Sequence, residues 1–235
     1  MDPKGAVYDQ GFCLRRYWSL RAAEPALFEN VPGSPTQILL DAGEIGSAQR
    51  SVRVEREAWG TSTADLRVGV LAEDQYVGHV IRDAVRFSDG RYGLYNRVVT
   101  PGGVLVLPII GNDIVLIRIF RHAPRRWFME ALQGLCPRGV DPVAQAHQEL
   151  SEEIGATASE LVPLGAVHTS TALTSETLDI YAARITAMGL PQRSEGIDSI
   201  HRVPNEQVDS AVRDGSICDG PTIAAILRAR LHGLI

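Results

Sequence analysis

The sequence has few cysteines, no long apolar run and no excess of basic residues, and each absence excludes a class of protein. Among its 235 residues are three cysteines, Cys13, Cys136 and Cys218, whose scattered spacing suits neither a disulfide framework nor a zinc site. No apolar run reaches the roughly 18–20 residues that a membrane-spanning helix needs. The N-terminus lacks the basic-then-apolar order of a secretory signal. We therefore expect a cytoplasmic protein with no membrane partner.

The charge and composition describe an ordinary globular chain. A net charge of −5 argues against a nucleic-acid partner, which normally requires a basic face. Hydrophobic residues at 45% and charged residues at 22% suit one sizeable domain with a small attached one. Residues 1–75 differ in pattern from the rest and are expected to form an N-terminal extension of unknown role, followed by the main domain at 76–235. In the extension we expect a helix within 14–31 and strand-like runs at 50–57 and 65–71.

From about residue 76 the hydrophobic pattern predicts strands and helices in a mixed order. Period-2 and β-branched apolar runs predict a hairpin at 85–99, two strands joined by a tight turn at 102–110 and 113–119, and strands at 161–168 and 177–185. Helical spacing predicts helices at 142–154, 205–214 and 221–232. This mixture favours an α/β sandwich over a helical bundle.

The helix at 142–154 has clear start and stop signals. Asp141 suits the N-cap, Pro142 the first helical position, and Gly155 a left-handed end. A turn of about 100° per residue places Val143, Ala146, Leu150 and Ile154 on one apolar stripe that we expect to face the sheet.

Three glutamates lie beside that stripe. Glu149, Glu152 and Glu153 fall within an arc of about 100° at the edge of the apolar face, so their carboxylates point to one region. Like charges so close repel unless a hard cation sits among them, and Mg²⁺ prefers such oxygen ligands. The alternative is a solvated acidic face without a ligand. The glycines and proline of the preceding loop, EALQGLCPRGVDP, favour the metal site because they let the backbone approach the same point.

These residues resemble the Nudix box, G-x5-E-x7-R-E-U-x-E-E-x-G-U, where U is aliphatic. The matching positions are Gly134, Glu149, Leu150, Glu152, Glu153 and Gly155. Val140 stands where the family has glutamate, Gln148 where it has arginine, and Ala156 is a small final aliphatic residue.

The neighbouring segments strengthen the resemblance. The run VLIRIFRHAPRRWFMEALQG, at 115–134, is similar to the segment before the box in ADP-ribose pyrophosphatases, which ends in Glu-Leu-Pro-Ala-Gly. The run 167–185 resembles their following segment, and the C-terminal run resembles their final helix. Over residues 76–235 the resemblance implies a Nudix-type α/β/α sandwich with a mixed sheet. It also suggests a homodimer.

The resemblance implies a role for individual residues. Glu149 and Glu153 would bind Mg²⁺ or Mn²⁺, Glu152 would be a ligand or act through water, and the carbonyl of Gln133 would be a backbone ligand beside Gly134. Further along the chain, Glu176 would act as base or ligand, Arg121 would contact a diphosphate, and Glu130 would lie near the ribose or adenine.

Several of these residues have structural alternatives. Glu176 could be a polar residue opening a strand, and Arg121 could belong to a solvated basic turn. Tyr92 and Tyr95 are candidates for stacking a base, whereas Trp127 and Phe128 are expected in the core.

The resulting hypothesis is a metal-dependent hydrolase of a nucleoside diphosphate linked to another group, X, with ADP-ribose or a nucleotide sugar as the substrate. Glu149, Glu152, Glu153 and Glu176 are the predicted catalytic set, and Arg121, Glu130 and Gly134 the predicted substrate-binding set. Because Val140 and Gln148 depart from the box, a protein that binds nucleotide sugars without cleaving them remains the alternative.

Overall fold

The computed structural model describes residues 9–137, 139–190 and 196–235. Residues 1–8 of the predicted extension and residue 138 of the loop before the acidic helix lie outside the described residues. The chain forms two compact units, one extending to Thr100 and including Ala172–Ser175, the other comprising Pro101–Thr171 and Glu176–Ile235. Of the helices in the described ranges, none combines the length and apolarity that crossing a bilayer requires.

The first unit is a small antiparallel sheet with two helices. Its elements are α1 (Gln10–Ala23), a 3₁₀ turn (Pro25–Phe28), β1 (Thr36–Ile38), α2 (Ala42–Ala58), β2 (Gly69–Asp74), β3 (Gly78–Phe87) and β4 (Tyr92–Val99). β3 is the centre of the sheet, because it pairs with β1, β2 and β4. The hairpin predicted at 85–99 therefore belongs to this unit, which extends beyond the predicted boundary at residue 75.

The strand expected at 50–57 is wrong, because these residues lie in α2. The Asp41 side chain caps this helix by accepting hydrogen bonds from two backbone N–H groups. Ile45, Ala48 and Val52 are buried at helical spacing, whereas Val54 is 66% exposed. The alternation of Val52 and Val54 is too short to outweigh that helical face.

The second unit contains a seven-stranded mixed sheet between helices. Its elements are β5 (Gly102–Ile110), β6 (Asp113–Arg121), β7 (Arg126–Glu130), β8 (Leu132–Cys136), α3 (Pro142–Ile154), β9 (Ala158–His168), β10 (Thr177–Ile185), β11 (Ile197–Val203), α4 (Asn205–Arg213) and α5 (Gly220–Leu231). The strand order is β11-β6-β5-β10-β9, in which β5 and β10 are parallel and the other pairs antiparallel.

Alternate residues of β5 contribute to two different cores. Val104 and Val106 pack in a cluster with Ala146, Leu150 and Ile154 of α3. Leu105 and Leu107 pack in a second cluster with residues of α4 and α5, and this cluster also holds Leu178, Ile180 and Ala182 of β10. Because strand side chains alternate between faces, the sheet is covered by helices on both sides. The predicted α/β sandwich with a mixed sheet is confirmed.

Strands β5 and β6 pair with each other only near their connecting turn, at residues 109–110 and 113–114. Farther along, β8 pairs with β5 and β7 pairs with β6. The sheet therefore splits around the corner between β7 and β8, where Ala131 lies. Glu130 and Gln133 flank that corner.

Candidate active site

Helix α3 has the bounds that the sequence predicts, and its ends are held by local contacts. The Asp141 side chain accepts a hydrogen bond from the backbone N–H of Val143 at 3.2 Å. Gly155 ends the helix with a φ of 58°, in the left-handed region that favours glycine. The predicted apolar stripe is right except for Val143, which lies on the first turn and is 43% exposed.

Glu149 projects from α3 directly against Gly134 of β8. Its side chain is buried, and Gln145 Nε2 donates a hydrogen bond to Glu149 Oε1 at 2.6 Å. A Cβ atom at position 134 would lie 1.8 Å from Glu149 Oε1 and 2.0 Å from its Cδ. Position 134 must therefore be glycine for the carboxylate to occupy this place.

The other two glutamates of the trio have different surroundings. Glu153 is 3% exposed, one helical turn after Glu149. Glu152 is half-buried and accepts a hydrogen bond from Gln148 Nε2 at 2.8 Å. Gln148 stands where the Nudix box has arginine, so a neutral amide replaces a charged partner here. The trio thus separates into a buried pair and an outer residue.

The buried pair has the chemistry of a divalent-cation site. Two carboxylates one turn apart, one of them held against a bare glycine, provide hard oxygen donors of the kind that Mg²⁺ prefers. Within the described ranges, no three His, Cys, Asp or Glu side chains lie close enough together to hold a metal by side chains alone. Further donors to a cation there would be a backbone carbonyl, water or the ligand itself, and Gln133 is the residue expected to provide the carbonyl.

A cavity of about 220 Å³ lies beside Gly134. Its lining includes four residues that the sequence singles out, Arg121, Gln133, Gly134 and Glu176, together with Gly103, Leu135 and Leu178. Glu176 is half-buried and accepts a hydrogen bond from Thr169 Oγ1. The guanidinium of Arg121, the carboxylate of Glu176 and the glycine backbone at 134 thus line one small space, in which Arg121 is the group that can bind an anionic ligand.

Arg121 is held by Glu130. Its Nε and Nη2 donate to Glu130 Oε2 at 2.9 and 2.6 Å, and Glu130 is 3% exposed. Burial raises the pKa of Glu130, although Arg121 partly opposes this shift. Burial lowers the pKa of Arg121, but the hydrogen bond and the charge of Glu130 outweigh it, so the net shift is upward. Arg121 therefore remains a cation, and this contact orients its guanidinium at the cavity.

Asp219 also belongs to this neighbourhood, and the sequence reasoning did not identify it. It caps α5, and its Oδ2 accepts a hydrogen bond from Gln133 Nε2 at 3.0 Å. The signal was the Asp-Gly-Pro run before the final helix, which marks an N-cap. Its contact with Gln133, 86 residues away in sequence, has no local signal.

The aromatic residues that the sequence singles out are divided between the two units. Tyr92 and Tyr95 belong to β4 of the first unit, where Arg86 lies 5.5 Å from the Tyr92 ring centroid and Tyr95 is 48% exposed. Trp127 is 42% exposed, so the expectation that it lies in the core is wrong. Its ring instead stacks under Arg118, whose Cζ lies 4.3 Å from the ring centroid.

Comparisons with known proteins bear on the fold and on the class of enzyme. No family model matches the sequence. The chain is 27% identical over 169 residues to an ADP-ribose pyrophosphatase of Bacillus subtilis (strain 168), an alignment covering 68% of this chain and 91% of that protein. It also resembles a crystal structure of an ADP compounds hydrolase, with a TM-score of 0.61 and 20% identity over 71% of this chain and 93% of the other.

The sequence of this chain is thus similar to that of an ADP-ribose pyrophosphatase, and its fold is similar to that of an ADP compounds hydrolase. The structural likeness shows the fold, and the near-complete coverage of the Bacillus relative adds the sequence evidence. The matching residues of the Nudix-like box lie in β8, in α3 and at Gly155, which ends α3. The departures at positions 140 and 148 occur on exposed residues, whereas Glu149 packs against Gly134 and Glu153 is buried one helical turn later.

Proposed function

We propose that this chain is a Nudix hydrolase that cleaves the P–O–P bridge of a nucleoside diphosphate linked to a sugar, with ADP-ribose as the leading substrate. The products from ADP-ribose would be AMP and ribose 5-phosphate. The observation that carries the proposal is the buried Glu149–Glu153 pair, with Glu149 packed on Gly134 at the edge of a cavity that Arg121 and Glu176 line.

Glu149, Glu153 and the backbone carbonyl of Gln133 would hold the divalent cation, Mg²⁺ or Mn²⁺. Such a cation, when bound, supplies charge neutralisation for the diphosphate and lowers the pKa of a coordinated water.

The protein residues would then have separate tasks. Arg121, oriented by Glu130, would bind the diphosphate and stabilise the charge that develops on its oxygens. Glu176 would take a proton from the attacking water. The water oxygen would bond to one phosphorus as the bridging P–O bond breaks, and the bridging oxygen would leave with the other phosphate.

The alternative of a nucleotide-sugar-binding protein without turnover rests on Gln148 and Val140. A neutral amide at position 148 and an aliphatic residue at 140 remove two charged groups of the box. In favour of the enzyme, both departures leave the buried pair and its glycine in place.

A hydrolysis screen distinguishes the two. The full chain would be incubated with Mg²⁺ or Mn²⁺ and with ADP-ribose, nucleotide sugars, dinucleotides or dNTPs, beside Glu153→Gln and Glu152→Gln. We expect turnover of ADP-ribose or a nucleotide sugar, a loss of about 100-fold or more in kcat for Glu153→Gln, and a much smaller loss for Glu152→Gln.

Two results would contradict the proposal. Turnover unaffected by Glu153→Gln would remove the cation assignment. Tight nucleotide binding without cleavage of any compound in the screen would favour the binding protein.

A further inference from the structure

The side-chain amide of Gln133 bridges two carboxylates. Its Nε2 lies 3.0 Å from Asp219 Oδ2 and 3.4 Å from Glu130 Oε2. An amide nitrogen has two hydrogens, which matches these two acceptors. The arrangement therefore assigns both amide hydrogens of Gln133 and fixes the rotation of its side chain.

The same two carboxylate oxygens also accept hydrogen bonds from other residues. Asp219 Oδ2 also accepts from Thr222 N at 2.9 Å and from Thr222 Oγ1 at 2.6 Å. Thr222 is fully buried, and its Oγ1 accepts from Ala131 N at 3.0 Å. On the other side Glu130 holds Arg121. A continuous chain of hydrogen bonds thus joins the start of α5, the corner between β7 and β8, and the cavity.

This connection depends on the side chain of Gln133. In the run of ADP-ribose pyrophosphatases that EALQG resembles, alanine stands at the position of Gln133, and proline at the position of Leu132. An alanine side chain has no donor and could not reach either carboxylate. In this chain the Gln133 side chain stabilises the corner between β7 and β8, where the backbone lacks the fixed φ of proline.

We propose that Asp219, acting through the side chain of Gln133, is a positioning residue for the cavity. It holds the Gln133 main chain and the Glu130–Arg121 pair in the arrangement that receives the diphosphate and its cation. The proposal rests on the proposed function for the identity of that ligand. Asp219 is not itself among the residues that line the cavity, so it acts through Gln133.

Two substitutions at Asp219 separate positioning from helix capping. Serine and asparagine both suit the N-cap. Asparagine keeps an acceptor oxygen at the same reach, so Asp219→Asn should preserve the contact with Gln133. Serine is too short to reach Gln133, so Asp219→Ser should break that contact while the cap remains.

The first readout does not require turnover. Mn²⁺ affinity would be measured by electron paramagnetic resonance, and the Gln133 amide would be followed by NMR, its signal assigned through Gln133→Ala. For Asp219→Ser we expect a shifted, faster-exchanging amide signal and a Mn²⁺ affinity about 10-fold weaker, the size typical of lost second-layer contacts at metal sites. Asp219→Asn should stay close to the wild type in both.

The second readout is kinetic. With ADP-ribose or the substrate that the screen identifies, Asp219→Ser should raise KM about 10-fold because Arg121 and the Gln133 carbonyl lose their orientation. The double variant Asp219→Ser, Gln133→Ala should be no worse than the poorer single variant, since both changes remove the same connection.

These measurements distinguish a positioning role of Asp219 from a purely structural one. If Asp219→Ser lowers the melting temperature but keeps the wild-type Mn²⁺ affinity and KM, the role of Asp219 is purely structural and the proposal is overturned. Losses from Asp219→Ser and Gln133→Ala that simply add in the double variant would also overturn it. If the wild-type chain cleaves nothing, the proposed function fails, while the NMR and Mn²⁺ measurements still decide whether Asp219 positions the site.

Discussion

The Glu149–Gly134 contact is the residue-level feature on which the site depends. A carboxylate occupies the space where any other residue would have its Cβ, 1.8 Å from Oε1. Sequence reasoning placed both residues in the site, because the box pattern includes them. Helical geometry alone could not distinguish Glu152 from Glu153, since both fall within one arc, and their different roles came from the resemblance to the Nudix box. The difference arises from which carboxylate packs inward and which meets Gln148.

Replacing Gly134 by alanine should displace the Glu149 carboxylate. We expect kcat/KM to fall by about 100-fold or more, because the charged donor leaves the position in which it acts. Overpacking should also destabilise the fold by about 1–3 kcal/mol. The measurement is steady-state hydrolysis together with thermal unfolding.

Gly46→Ala is the matched control, since Gly46 lies within α2 and an added Cβ would meet only the flexible end of Arg50, at 3.3 Å. We expect Gly46→Ala to keep wild-type kinetics. Equal activity in Gly134→Ala and the wild type would show that Glu149 does not need its place against β8.

At the scale of elements, the segments predicted with correct bounds are those whose signals lie within the segment itself. Helix α3 and strand β10 have the predicted bounds, because caps and apolar periodicity lie within the segments themselves. Strands β7, β8 and β11 were not predicted. Each is short, and its existence depends on pairing with β6 or β5, which no local pattern encodes.

The end of α3 offers a test at this scale. Gly155 has a φ of 58°, and a Cβ there would lie 3.3 Å from Gly189 Cα. Gly155→Ala should therefore lower the free energy of unfolding by about 1–2 kcal/mol, through strain in the left-handed region. Gly155→Asn should cost less strain, since asparagine adopts this conformation more readily. Urea denaturation of both variants checks the order, and an alanine variant as stable as the wild type would contradict it.

For the molecule as a whole, the first unit has a buried polar centre of its own. Tyr17 is fully buried and donates a hydrogen bond to Asp83, which Arg97 Nε also contacts at 2.6 Å. The contact between α1 and the sheet could not be predicted, because Tyr17 and Asp83 are 66 residues apart. The cytoplasmic location and the homodimer stay predictions.

This centre makes stability depend on pH at the alkaline end. Burial, followed by the charge of Asp83, raises the pKa of Tyr17 far above its usual value. A raised pKa in the folded state gives a contribution that is fully present below the unfolded value of about 10 and is lost as pH rises beyond it. Stability of the wild type should therefore fall above about pH 10.

Tyr17→Phe should remove part of this dependence. At pH 8 the variant should be less stable by about 1–3 kcal/mol, because Asp83 loses a buried donor. The difference between variant and wild type should shrink as the pH rises above about 10. Urea midpoints at several pH values test this, with Tyr76→Phe, at a side chain that is 68% exposed, as the control. A difference that stays constant with pH would contradict the account.

The most direct test of the central claim is anomalous diffraction from a crystal of the full chain soaked in Mn²⁺ with a non-hydrolysable ADP-ribose analogue. The account predicts a Mn²⁺ peak within coordination distance of the Glu149 and Glu153 carboxylates and the Gln133 carbonyl, with the diphosphate beside Arg121. Mn²⁺ bound elsewhere, with Glu149 and Glu153 contacting no ion while the analogue occupies the cavity, would contradict it.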